Sequence, residues 1–265
     1  MNKFLASAVA VTAIAITVVI SGCNEKKEVV PNPDQSFEKV KSAGELVLGH
    51  MGAFPPMVFT NKEGNVVGFD VDLASEICSR LGLKLKTVLI PWDAKEHELK
   101  MGHVDCIWSG MSVDSSRAVE MNLSDPYLTN RLVFVMKDKS VDHPDSLKGK
   151  KISVQRASTA QSMLVNSEVG NSAEVLVYDG LSAAFEALDS GIVDAAFTDE
   201  VFAKYWNLKN DNRYVIMEDV LHNEVYAVGF RKGDQALRDT INTVLASIKK
   251  DGKFVELSVK WFGNK

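Results

Sequence analysis

The strongest constraint on this chain's fold is an internal echo. Gly102-His103-Val104-Asp105-Cys106-Ile107-Trp108, followed by Ser109-Gly110-Met111-Ser112, is answered by Gly191-Ile192-Val193-Asp194-Ala195-Ala196-Phe197, followed by Thr198-Asp199-Glu200. Each copy is a glycine, a short apolar run of strand character, and then small or polar residues that open a helix. A charged or amphipathic helical stretch precedes each, over 95–101 and 183–189. Helix, strand, helix in that order is the grammar of an open doubly wound sheet, in which ligands sit just past the carboxyl ends of the strands. Two copies predict two such sheets. Their endings differ: the first delivers hydroxyls and then Arg117, the second delivers Asp199. A guanidinium grips a carboxylate through two parallel hydrogen bonds, and a carboxylate pairs with an ammonium. A molecule with both charges on one carbon is an α-amino acid.

The rest of the chain is compatible with that reading. Its 265 residues exceed one average domain and fall short of three, and 46% hydrophobic with 25% charged residues is the balance of an ordinary globular protein. The formal charge of −5 leaves no broad basic face, which argues against nucleic acid as a partner. His50, His97, His103, His143 and His222 show no paired metal-ligand spacing and there is no CxxC, so neither a metal nor another cofactor is expected. Cys78 and Cys106 are expected to be small buried core residues, although an exported chain also permits a disulfide.

The amino terminus is a separate matter. Lys3 is followed by an uncharged apolar run over 4–20 and then by Ser21-Gly22-Cys23. The run is long for a signal core and at the lower limit for a spanning helix. The small-residue site ending in cysteine resembles the lipobox of bacterial lipoprotein signal peptides, which implies cleavage before Cys23 and a lipid on its sulfur. An uncleaved anchor helix is the alternative. Pro31, Pro33 and mixed charge then read as a tether. The expected organisation is therefore a leader over 1–22, a lipidated start and tether over 23–42, lobe one over 43–129 plus 224–265, and lobe two over 130–223.

Local signals place the candidate residues. Strand 45–49 leads to Phe54-Pro55-Pro56, a stiff turn expected to hold Phe54 at an exposed lip. Asp70 is expected to cap the helix that ends at Gly82, with strand 83–90 beyond it. Trp92 opens the next helix, where Asp93-Ala94-Lys95-Glu96 reads as a capping box, with Glu96 reaching a ligand as the alternative. Asp114 caps a helix whose first turn carries Arg117, and Ser158 and Thr159 open another, a geometry that favours anions. Strands are also expected over 132–136, 151–155, 175–178, 214–217 and 225–230, with helices over 181–189, 200–206 and 234–250. Taken alone, Arg117 is an ordinary solvated helix residue and Asp199 an ordinary N-cap; the hydroxyls just upstream of Arg117, at a strand end, turn it towards a ligand.

With these residues in view, the chain resembles the extracytoplasmic amino-acid-binding proteins of ABC importers, the solute-binding class that includes lysine/arginine/ornithine-, histidine- and glutamine-binding proteins. The marks are Gly68-Phe69-Asp70-Val71-Asp72-Leu73, the stretch 105–117, Ser124-Asp125-Pro126-Tyr127, Leu147-Lys148-Gly149-Lys150, the stretch 194–199 and Lys260-Trp261-Phe262-Gly263. The resemblance implies an α/β, two-lobed periplasmic-binding-protein fold of type II, with an open mixed sheet in each lobe and the ligand cleft between them. It implies Arg117, Ser112, Ser158 and Thr159 at the ligand's carboxylate. Asp199 and the Gly110 carbonyl would meet its ammonium, Phe54 and Trp92 its side chain, and Ser109 would line the same wall. Met51 stands where members with cationic ligands carry an acid, so a polar or uncharged amino acid is expected over a cationic one. The implied partners are the transmembrane subunits of a permease and, through the lipid at Cys23, the outer face of the cell membrane, with the protein itself a monomer. An enzyme similar to cyclohexadienyl dehydratase and a ligand-sensing receptor are the competing readings on the same scaffold.

Overall fold

The computed structural model describes residues 34–138, 140, 143–217 and 222–263. The expected leader, Cys23 and most of the expected tether lie outside the described residues. Lobe one is built from α1 (Ser36–Ala43), β1 (Glu45–His50), β2 (Ala53–Phe54), β3 (Val58–Thr60), β4 (Val66–Val67), α2 (Phe69–Leu81), β5 (Lys84–Leu89), α3 (Lys95–Lys100), β6 (Cys106–Ile107), α4 (Ser115–Glu120) and β7 (Asn122–Leu123). Next come β8 (Leu128–Met136), β9 (Lys151–Gln155), α5 (Thr159–Val165), α6 (Glu168–Ser172), β10 (Glu174–Tyr178), α7 (Leu181–Asp189), β11 (Ala195–Asp199), α8 (Glu200–Lys209), β12 (Val215–Ile216) and β13 (His222–Tyr226). The chain closes with β14 (Gly229–Phe230), α9 (Gln235–Lys250) and α10 (Lys253–Phe262) in lobe one.

The two main sheets repeat one plan. The first runs β5-β1-β6-β14-β7 and the second β10-β9-β11-β8-β12. In each, three parallel strands are followed by an antiparallel neighbour, so both are mixed sheets. A small antiparallel sheet, β2-β3-β4, sits apart from them. The echo has a physical cause visible in this plan. Gly102 and Gly191 both take a left-handed φ, +76° and +73°, to turn the chain out of the preceding helix. Asp105 then exchanges two bonds with Val47: its N–H donates to the Val47 carbonyl at 2.8 Å and its carboxylate accepts from the Val47 N–H at 2.9 Å. Asp194 does the same with Lys151, at 2.8 Å in both directions. The aspartate of each copy thus locks the third strand onto the first, and the strand's far end is aimed at the cleft.

Several elements differ from expectation. The stretch expected to end the tether is helical from Ser36, because Phe37 and Val40 form an apolar stripe that packs on the core beside α9, and the Ser36 hydroxyl accepts the Leu237 N–H at 3.0 Å. The single strand expected over 225–230 is two: β13 pairs antiparallel with β8, and β14 joins the first sheet. The break at Ala227-Val228 is where the chain passes from one sheet to the other. Helix α10 was not expected; Leu257 packs it into lobe one, with Phe254, Trp261 and Phe262 beside it.

Three apolar clusters hold the lobes. One lies on a single face of the first sheet around Ile107 and Met111, and one on a single face of the second around Phe134 and Phe197. The third covers the remaining faces and runs continuously between the lobes through Phe54, Phe185 and Phe202. Cys78 and Cys106 are both buried free thiols. No helix among the described residues is long and apolar enough to cross a membrane.

Candidate functional site

A narrow cleft lies where the two sheets' strand ends converge, with about 290 Å³ of empty space counted together with its opening to solvent. All nine residues expected at a binding site line it: Phe54, Trp92, Ser109, Gly110, Ser112, Arg117, Ser158, Thr159 and Asp199, with Met51, Leu132, Gln155 and Ala160 completing the wall. Those before residue 128 come from lobe one and the others from lobe two.

Arg117 is placed by its cap. The Asp114 carboxylate accepts the Arg117 N–H at 2.8 Å, starting α4 there. The guanidinium turns inward and is 5% exposed. It donates to the Ser112 carbonyl at 2.7 Å, approaches the Asp114 carboxylate at 3.3 Å and lies 5.8 Å from the centre of the Trp92 ring. Another of its N–H groups reaches across to the Ala157 carbonyl of lobe two at 3.4 Å. Opposite, Ser158 caps α5 by accepting the Gln161 N–H at 3.0 Å. The Thr159 hydroxyl donates back to Asp114 at 3.4 Å.

Gly110 occupies a position that disfavours any side chain. Its φ is +54°, and a Cβ there would stand 2.4 Å from Cε1 of Phe54. Its N–H is held by Asp70 at 2.6 Å. Asp70 was expected as the cap of α2. Instead Gly68 holds that position, and the fully buried Asp70 carboxylate accepts from Gly110 and, at 2.9 Å, from the Tyr127 hydroxyl. Burial pushes the Asp70 carboxyl up to about 7 against the pull of those two bonds. Gly110→Ala is expected to destabilise the fold by about 1–3 kcal/mol through overpacking and to weaken ligand binding by displacing Phe54. A variant that melts and binds like the parent would show that the ring has room to yield.

The aromatic residues are not at an exposed lip. Phe54 is 2% exposed because its ring meets Phe202 of lobe two at 6.1 Å and Tyr226 at 6.3 Å. Trp92 is also buried, with the Lys95 ammonium 4.9 Å from its ring centre. The capping box expected at Asp93 and Glu96 is absent: α3 begins without a side-chain cap, and Glu96 pairs with Lys95 at 3.1 Å. The Ser109 hydroxyl accepts the Met51 N–H at 3.2 Å, tying the first strand's exit loop to the wall.

Asp199 ends β11 and does not cap α8 through its side chain. It points into a buried cluster that sequence reasoning missed. Asn130 of β8 donates to Asp199 at 2.9 Å and to Glu224 at 2.6 Å, and the Tyr226 hydroxyl also donates to Asp199. Burial first, and then the neighbouring Glu224 charge, hold the Asp199 carboxyl well above the usual carboxylate range. The available signal was the alternation on one strand, Glu224 and Tyr226, which puts an acid and an aromatic on the same face. Chemically the cavity offers a buried cation on one lobe, a buried acid on the other and rings between them.

The chain is similar to several known proteins. Residues 46–264 match the family of bacterial extracellular solute-binding proteins, family 3. The chain is 27% identical to the L-cystine-binding protein TcyJ of Escherichia coli strain K12 over 86% of each chain. It superposes on the crystal structure of Tv2483 bound to L-arginine with a TM-score of 0.83 and 31% identity, over 87% of this chain and 96% of that one. A substrate-binding protein of an ABC uptake transporter from Streptococcus pneumoniae, solved with bound histidine, gives a TM-score of 0.81 and 32% identity over 88% and 97%. Arginine and histidine binders thus stand among its relatives, which removes support for the expectation, based on Met51, of an uncharged ligand. Fold, strand plan and family match together establish that the chain belongs to the family 3 bacterial extracellular solute-binding proteins.

Proposed function

We propose that this protein is an extracytoplasmic receptor that takes up one free α-amino acid between its lobes and delivers it to the transmembrane subunits of an ABC importer. The observation that carries the reading is that one cleft has Arg117 on one wall and Asp199 on the other. Arg117 binds the α-carboxylate with help from Ser112, Ser158 and Thr159. Asp199 and the Gly110 carbonyl take the ammonium. Phe54 and Trp92 flank the side chain, and Ser109 lines the wall beside them. Lobe one is then the part built on the first sheet, up to residue 127 and again from 227, and lobe two is 128–226; the two open and close about the paired strands β8 and β13, whose ends join them.

The relatives' ligands are cystine, arginine and histidine, so the panel that tests the reading is the twenty standard amino acids with L-cystine. Calorimetry is expected to show one-to-one binding of at least one member. Binding of none would contradict the reading. The protein acts here as a receptor and not as an enzyme; consumption of prephenate or arogenate would reverse that.

The lipid anchor at Cys23 belongs to the same proposal, supported by the Ser21-Gly22-Cys23 site. Two or three acyl chains hold a protein firmly at a membrane surface. Cells fed radiolabelled palmitate are expected to label the parent and not Cys23→Ala, which appears in the soluble fraction. Equal labelling of both would rule the anchor out.

A further inference from the structure

Beside the cavity, two carboxylates are buried together. Asp199 lines it, 8% exposed, and Glu224 lies next to it, 6% exposed. Both accept from one nitrogen, Nδ2 of Asn130. That amide is oriented by its other end, where Oδ1 accepts the Val201 N–H at 3.3 Å, so its donor side faces the acids. The other bonded neighbour among the described residues, the Tyr226 hydroxyl, is also neutral. Glu224 Oε2 is enclosed and has no hydrogen-bond partner among the described residues. Of the charged groups on the surrounding elements, Arg131 of β8 pairs with Glu200 of α8, and Arg117 on the facing wall pairs with Asp114. Beyond Tyr226 lies Tyr127, which donates to Asp70.

Two like charges in so dry a place are unstable together, and the usual resolution is one proton held between them. We infer that Asp199 and Glu224 share one proton while the cavity is without ligand, and that an ammonium docking at Asp199 drives that proton out to solvent. The inference rests on the reading of the cavity as an amino-acid site. It adds Glu224 as the residue that sets the acid's charge state. The exchange balances: one carboxyl O–H bond breaks, the proton passes to buffer, and the ligand keeps its three ammonium protons. The pair goes from one negative charge to two while one positive charge arrives. Burial and the adjacent charge, which keep Asp199 protonated above the ordinary carboxylate range, are the forces that the ammonium overcomes.

Linkage fixes the sign. Below the pair's titration the proton must be removed before binding, so affinity falls tenfold for each unit of pH lost; above it the affinity is flat. The test is calorimetry with the amino-acid panel at several pH values between 5 and 7.5. Each titration is run in two buffers that both titrate at that pH and differ in ionisation heat, phosphate and Bis-Tris above pH 6 and acetate and MES below it, so that the difference reports the protons released. Expected is a release approaching one proton per ligand at the acid end, together with the tenfold slope. In Glu224→Gln the like-charge neighbour is gone, so both the release and the slope should shrink towards zero over the same range. Binding by the parent with no buffer dependence at any pH would overturn the inference and leave the amino-acid reading intact. Equal proton release from parent and Glu224→Gln would overturn it as well, since the proton would then come from elsewhere. If no panel member binds, the reading of the cavity itself has failed.

Discussion

Arg117→Ala is expected to weaken amino-acid binding by about two to four orders of magnitude, measured by calorimetry against the best ligand of the panel. The guanidinium is buried, with Trp92 near its face and the Ser112 carbonyl fixing one N–H. A carboxylate that enters this cavity loses its water and must be repaid by that one cation. Truncating one member of a buried ion pair leaves the other uncompensated, at a cost of roughly 3–5 kcal/mol, and about 1.4 kcal/mol is one decade in affinity. The fold should survive: the Asp114 cap uses the Arg117 backbone N–H, which alanine keeps. A folded Arg117→Ala that binds within a few-fold of the parent would remove Arg117 from the site.

Asp199→Asn should move stability and binding in opposite directions. Loss of the negative charge facing the ammonium is expected to lower affinity by about two orders of magnitude, within the range for a buried charged partner. Stability should rise at neutral pH. The Asp199 carboxyl is held above its ordinary range in the folded state by burial and by Glu224, whereas in the unfolded chain it ionises near about 3.9. Folding at pH 7 therefore works against that charge, and asparagine removes the conflict. The advantage should vanish as pH falls below about 4, where aspartate is protonated in both states. Melting curves of the ligand-free proteins at pH 4 and 7 check this, with about 2–4 °C expected for each kcal/mol gained. A variant less stable than the parent at pH 7 would mean that the acid's bonds to Asn130 and Tyr226 outweigh the repulsion.

What could be read in the sequence was what is local. The glycine–aspartate echo, the Asp114 and Ser158 caps and the apolar stripe of α9 are each decided within a few residues, and all of them stand in the fold. What could not be read depends on partners far along the chain. Asn130 and Glu224 are 94 residues apart and meet only because β13 pairs with β8. Asp70 looked like a cap because aspartate usually is one at a helix start; its real partners, Gly110 and Tyr127, are 40 and 57 residues away. Phe54 looked exposed because the proline turn that carries it belongs to lobe one, while the ring that covers it, Phe202, belongs to lobe two. Helix α1 is short and charged and shows only Phe37 and Val40 as an apolar pair, whereas α10 carries a local stripe of Phe254, Leu257 and Trp261 that was there to be read and was passed over.

The most direct measurement is a crystal structure of the protein with its amino acid bound. It should show the ligand's carboxylate on the Arg117 guanidinium at about 2.7–2.9 Å, the spacing of charge-assisted bonds, and its ammonium on the Asp199 carboxylate. A ligand reversed in the cavity, or seated away from both residues, would contradict the account.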